Sequence, residues 1–142
     1  MVIEELLEID EYFKDEYKRE TSFSLEPMYL QCLKKLSLKI YTEDKGYVAT
    51  TLRRVLVLEG LNILQGEPIN NKLWEDTEKT KSRNSVMLKI NEKIERLIQE
   101  VTTIHFMSRS HYARYAVLRI FYKYFPEEDV GRARVVSLGK LF

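Results

Sequence analysis

The sequence predicts an all-α protein, a single-domain bundle of about five main helices. Three observations favour this class. Apolar residues recur at intervals of three and four along several stretches, as they do on one face of a helix. The 142 residues include only five glycines and three prolines, which leaves few tight turns for a many-stranded sandwich. The length suits one domain with its own core, so we expect residues 1–142 to form a single helical domain.

The first half of the chain predicts three helices. Residues 2–19 combine an apolar stripe with an acidic opposite face, which indicates an amphipathic helix. A second helix is expected to have Ser24 as its N-cap and Pro27 in its first turn. Residues 47–64 are apolar nearly all round and predict a central, buried helix, with a buried strand as the competing interpretation.

The second half predicts a long connector followed by two helices. Residues 65–82 form the connector, and a short helix is expected within it near Trp74. Residues 84–106 have the clearest helical repeat of the chain. The last main helix covers residues 111–125 and stops at Pro126. The tail that follows is expected to dock on the domain as a short helix or strand.

The net charge excludes few functions, but the charges are divided between an acidic and a basic end of the chain. The net charge is only +1, so no global charge requires nucleic acid or a membrane. Residues 1–20 nevertheless carry a net charge of −5 and residues 101–142 one of +4. These two ends either attract different partners or pack against each other. The many charged side chains and few glutamines are typical of a thermophile.

No motif points to catalysis, a cofactor or a metal. The sequence contains no nucleophile elbow, no Walker loop and no dinucleotide-binding glycine pattern. Its single cysteine and two histidines do not form a metal-ligand pattern. We therefore expect a protein that is not an enzyme. The chain opens without a signal-peptide pattern and has no membrane-spanning apolar run, so we expect it in the cytoplasm.

The stretch HYARYAVLRIFYKYF, residues 111–125, is the strongest candidate for a functional surface. It combines four tyrosines and four basic side chains, counting histidine, with no acid. On a helical wheel one arc is apolar and a second arc alternates tyrosine and base. With the arginine just before the stretch, the second arc comprises Arg109, His111, Tyr112, Tyr115, Arg119, Tyr122 and Lys123.

Three interpretations of this second arc remain open. The bases neutralise phosphates while the aromatic rings stack on unpaired nucleotide bases. Alternatively, the rings pack on neighbouring helices and the bases pair with the acidic first helix. In the third, the arc binds a protein partner, for which tyrosine and arginine are also suited.

Three further arginines stand out. Arg114 projects from within the apolar arc, so it must reach out along its stem or find a buried carboxylate or carbonyl. Arg53 and Arg54 lie ahead of the most apolar run and form a possible secondary anion site if a helix begins near them.

Two short stretches resemble known families. Residues 18–36 resemble the start of the helical domain of archaeal GINS replication subunits, and TTLRRVLVL is similar to a stretch in small helical subunits of type III CRISPR complexes. Neither resemblance identifies the chain as a member. Both imply a non-catalytic helical protein in a nucleic-acid context.

The expected function is therefore non-catalytic binding, as a small subunit or accessory factor of a nucleic-acid-handling assembly. The alternative is a protein–protein adapter or inhibitor, such as a viral or archaeal accessory protein, with no nucleic-acid contact. In either case a protein partner or homo-oligomer is expected, and no membrane.

Overall fold

The computed structural model describes residues 9–41, 48–79 and 84–126, and within these ranges the protein is mostly helical, as predicted. Its regular elements are a 3-10 turn (Asp10–Phe13), strands β1 (Arg19–Ser24) and β2 (Ser85–Ile90), and helices α1 (Pro27–Tyr41), α2 (Val48–Leu64), α3 (Asn71–Thr77), α4 (Glu92–Ile104) and α5 (Arg109–Tyr124).

A two-stranded antiparallel sheet corrects the all-α prediction. Within the expected helix 84–106, residues 85–90 are β2 and only α4 is helical. The side chains of Leu88 and Ile90 point inward at the period of two that a strand requires, while Lys89 between them is exposed and Met87 before them is 55% exposed. The helix begins late because Asn91 has an extended backbone and accepts the Ile94 N–H as its N-cap.

The predicted helix 2–19 is also wrong within the described residues. Only the 3-10 turn is helical, and β1 begins at Arg19. Residues 2–8 of that prediction, and the docked tail after Pro126, lie outside the described residues. Ser24 does not cap α1 but ends β1, where its N–H donates to the Ser110 hydroxyl at 2.9 Å.

The other predicted helices are confirmed, with bounds close to those expected. α1 begins at Pro27, α2 covers nearly all of residues 47–64, and α3 contains Trp74. α5 is capped by the Ser108 hydroxyl, which accepts the His111 N–H, and ends two residues before Pro126.

α2 and α5 form the centre of the molecule. Nine residues of α2 and eleven of α5 are buried, and one apolar core joins them to α1, α4 and the inner face of the sheet. Gly60 of α2 makes the close packing possible. A Cβ atom there would lie 3.0 Å from the Tyr112 hydroxyl oxygen and 3.1 Å from Leu97 Cγ.

Substituting Gly60 with valine should destabilise the protein by at least about 2 kcal/mol, because the added methyl groups collide with α4 and α5 at once. Urea unfolding measures this change. Gln31→Val, which places the same side chain on the exposed face of α1, is the matched control and should change stability by less than about 1 kcal/mol. Equal effects of the two substitutions would contradict the close approach.

Candidate binding surface

His111 lies inside the protein rather than on a binding face. It is buried, its Nε2 lies 2.8 Å from the Trp74 carbonyl oxygen, and its ring meets the indole edge to face. A carbonyl can only accept, so Nε2 carries the proton. Burial lowers the pKa of His111, the Trp74 carbonyl opposes that shift, and the imidazole is favoured in its neutral form.

Tyr112 and Tyr115 are also internal. Both are fully buried. The Tyr112 hydroxyl donates to the Leu56 carbonyl of α2, and the Tyr115 hydroxyl accepts the Asn70 N–H at 2.9 Å. Of the three interpretations of the second arc, internal packing therefore holds for His111 and these tyrosines, because α2, α3 and the connector cover that side of α5. None of the three rings is accessible for stacking on a nucleotide base.

Arg109 belongs to an internal ion cluster. Its guanidinium binds both carboxylate oxygens of Glu95, at 2.8 and 2.9 Å, and donates to the Thr21 hydroxyl at 3.1 Å. Arg19 adds a third contact to Glu95 at 3.3 Å. Because Glu95 is buried, this bidentate pair fixes α5 to α4 and β1.

Arg114 finds the buried carbonyl partners that its position in the apolar arc requires. It donates to the Thr77 carbonyl at 2.7 Å, the Glu78 carbonyl at 2.8 Å and the Ser24 carbonyl at 3.1 Å. Burial lowers the pKa of its guanidinium. The side chain joins α5 to the end of β1 and the end of α3.

Arg119 lies at the edge of a buried acidic site. Its Nη2 binds Glu67 at 2.8 Å, and its Nε lies 4.0 Å from a carboxylate oxygen of Glu59. Glu59 is 1% exposed, and neither of its carboxylate oxygens has a hydrogen-bond partner among the described residues. Burial raises the pKa of Glu59 to about 7. The neighbouring Glu67 carboxylate adds to this shift, while Arg119 opposes it.

The raised pKa of Glu59 predicts a stability that falls as pH rises. Between the usual value of 4.5 and about 7, the folded protein holds a proton that the unfolded chain releases. The contribution of Glu59 to the free energy of unfolding is therefore largest below pH 4.5. It falls as pH rises from 4.5 through about 7.

Glu59→Gln should remove this dependence. As pH rises from acidic to mildly alkaline, the free energy of unfolding of the variant should increase by about 3 kcal/mol relative to that of the unaltered protein. Urea unfolding of both proteins across that range measures the difference and cancels the contribution of His111, which both share. A difference that does not change with pH would contradict the assignment.

The proposed secondary anion site is used internally. The Arg53 guanidinium lies 4.6 Å from the Tyr17 ring centre, and that of Arg54 lies 4.9 Å from the Phe13 ring. Arg54 also binds Asp10 at 3.1 Å. These contacts hold the segment that precedes β1 against α2.

Two of the expected residues, Tyr122 and Lys123, keep part of their surface exposed near the end of α5. On the wheel, Phe125, Tyr122, Arg119 and Lys123 follow one another at steps of roughly 40 to 60 degrees. They form one band around the helix end, in which Phe125, Tyr122 and Arg119 are half-buried and Lys123 is exposed.

α1 contributes lysines to the same band. Lys39 Nζ lies 4.5 Å from the Phe125 ring centre and 3.4 Å from the Tyr124 carbonyl, and Lys35 Nζ lies 6.0 Å from the Phe121 ring centre. We call the set formed by Lys35, Lys39, Tyr122, Lys123 and Phe125 the basic surface.

Sequence reasoning did not place the α1 lysines in this surface. The available signal was the absence of acids from α1 as well as from α5. Which lysines lie beside which aromatic rings depends on the pairing of two helices far apart in sequence.

Comparisons with protein-family models, with curated proteins and with solved structures gave no match for this chain. No helix in the described part is long and apolar enough to cross a membrane. Over the same ranges, no three histidine, cysteine or acidic side chains come together as metal ligands.

Proposed function

We propose that the protein is a non-catalytic nucleic-acid-binding subunit or accessory factor that contacts single-stranded DNA or RNA through the basic surface. The observation that carries this proposal is the segregation of charge. α1 and α5 contain seven of the twenty-three basic side chains and none of the twenty-two acidic ones. The rest of the chain therefore has a net charge of −6, counting histidine as neutral.

The seven bases divide into an internal and an external set. The three arginines of α5 bind carboxylates or carbonyls within the fold. The four lysines, Lys34, Lys35, Lys39 and Lys123, are all exposed. A compact, strongly hydrated ammonium on a flexible stem suits a phosphate contact at the surface, whereas planar guanidiniums suit the fixed internal sites.

The aromatic rings supply the second requirement of single-strand binding. Tyr122 and Phe125 are half-buried between the lysines of α1 and Lys123, so part of each ring reaches solvent. Proteins that bind single strands without sequence preference combine cationic side chains along the backbone with rings on which bases stack. This arrangement favours phosphate contacts by the lysines and stacking by Tyr122. Phe125, which stacks on Phe121 at 4.7 Å between ring centres, supports the ring cluster from within.

Replacing Lys35, Lys39 and Lys123 together by alanine should weaken binding to labelled single-stranded oligonucleotides. The slope of log affinity against log salt should fall by about 2, because each lost phosphate contact removes roughly 0.7 from it. Fluorescence anisotropy at several salt concentrations from about 50 mM upward measures both quantities.

The matched control replaces Lys14, Lys72 and Lys89, which are exposed on other parts of the molecule. This control changes the net charge equally and should leave affinity and slope nearly unchanged. Equal losses in the two triple variants would contradict a localised surface. If the unaltered protein binds no oligonucleotide near 50 mM salt, the proposal fails and the protein-adapter alternative takes its place.

A further inference from the structure

The end of α4 carries an aromatic residue where the backbone favours glycine. Phe106 has a φ of 55°, in the left-handed region. The Met107 N–H donates to the Thr102 carbonyl at 3.0 Å, and the His105 N–H to the Val101 carbonyl at 3.1 Å. This is a Schellman ending with Phe106 at the position that glycine usually occupies.

The side chain of Phe106 makes little contact with its own fold. It is 89% exposed, and the neighbouring Ile104 is 51% exposed. The left-handed backbone is strained for a residue with a Cβ atom, and the exposed ring is unfavourable in water. Glycine at this position would therefore give a more stable folded chain. The ring is therefore suited to a contact outside its own chain.

A hollow lies along the last turns of α4, which end two residues before Phe106. It has a volume of about 360 Å³ and is lined by Arg96, Gln99, Glu100, Thr103 and Ile104 of α4. A second hollow of about 550 Å³, lined by residues of α4, β1 and α5, shares Gln99 and Thr103 with the first and so lies next to it.

We propose that this face of α4 binds a second copy of the chain in a two-fold dimer, with Phe106 of each copy inserted into the hollow of the other. A two-fold interface needs a surface that contains both a projection and its own complement. Phe106 after α4 and the hollow along the last turns of α4 would provide the two.

The spacing along α4 fits this arrangement. If two α4 helices cross antiparallel about an axis near Thr103, residue 106 of each copy lies opposite residue 100 of the other. Residue 100 is in the middle of the stretch that lines the hollow. Thr103 is a small side chain at the crossing and allows the two helices to approach.

The charges of the hollow favour an identical partner over a strongly charged one. Its lining contains one base, Arg96, and one acid, Glu100, so two copies meet without net like-charge repulsion. A basic or acidic partner would find no matching excess of charge here. The inference does not rest on the nucleic-acid proposal, because the basic surface involves other residues.

Sedimentation of the full chain without nucleic acid, over a wide range of protein concentrations, tests this proposal. The unaltered protein should form a reversible dimer. Phe106→Gly should raise the dimer dissociation constant by roughly 100-fold or more, since two buried rings are lost per dimer. Thermal unfolding of dilute Phe106→Gly should occur at the same temperature as for the unaltered protein or higher, which separates lost docking from a damaged fold.

Met87→Ala is the matched control, because Met87 is a large, 55% exposed apolar side chain on the sheet. Its dissociation constant should stay close to that of the unaltered protein. A protein that remains monomeric at every concentration overturns the proposal. A dimer that is insensitive to Phe106→Gly, or equally weakened by both substitutions, also overturns it.

Discussion

The buried guanidinium of Arg114 is the interaction on which the arrangement of α5 depends. It donates to one carbonyl at the end of β1, that of Ser24, and to two at the end of α3, those of Thr77 and Glu78. The last carbonyls of a helix lack partners within it and favour a nearby cation, so the end of α3 is a suitable site for this charge. With β1 and α3 held against it, α5 is buried without a break from His111 to Leu118.

That coverage divides the basic side chains of α5 into arginines that bond within the fold and a lysine at the surface. The arginines of α5 lie where neighbouring elements supply fixed acceptors, and their planar, multiply donating heads match those acceptors. The exposed base of α5 is Lys123, and the lysines of α1 lie beside the rings of Phe121 and Phe125 near the same helix end. Binding through that end would leave the internal network undisturbed. The exposed Phe106 lies at a different place, after α4, so the proposed association with a second copy and the proposed contact with nucleic acid would use separate surfaces.

The local signals in the sequence were sufficient for most helices and insufficient for the sheet. The stop residue Pro126 placed the end of α5, and the all-round apolar pattern identified α2 as buried. Around residues 84–90, however, apolar residues fit both a period of three to four and a period of two. The choice between them depends on pairing with β1, more than sixty residues earlier.

The same limitation explains why internal packing and a binding face could not be told apart in residues 111–125. A helical wheel divided them into an apolar arc and an arc of tyrosine and base, but it could not show that α3 and the connector cover the first part of the second arc. The burial of Tyr112 and Tyr115 follows from contacts with Leu56 and Asn70, which are remote in sequence. The division of α5 into internal arginines and an external lysine is tested most directly by comparing urea unfolding of Arg114→Met and Lys123→Met. The first should lose about 3 kcal/mol or more, because buried carbonyls are left without donors, and the second less than about 0.5 kcal/mol. Losses of similar size in the two variants would contradict the account.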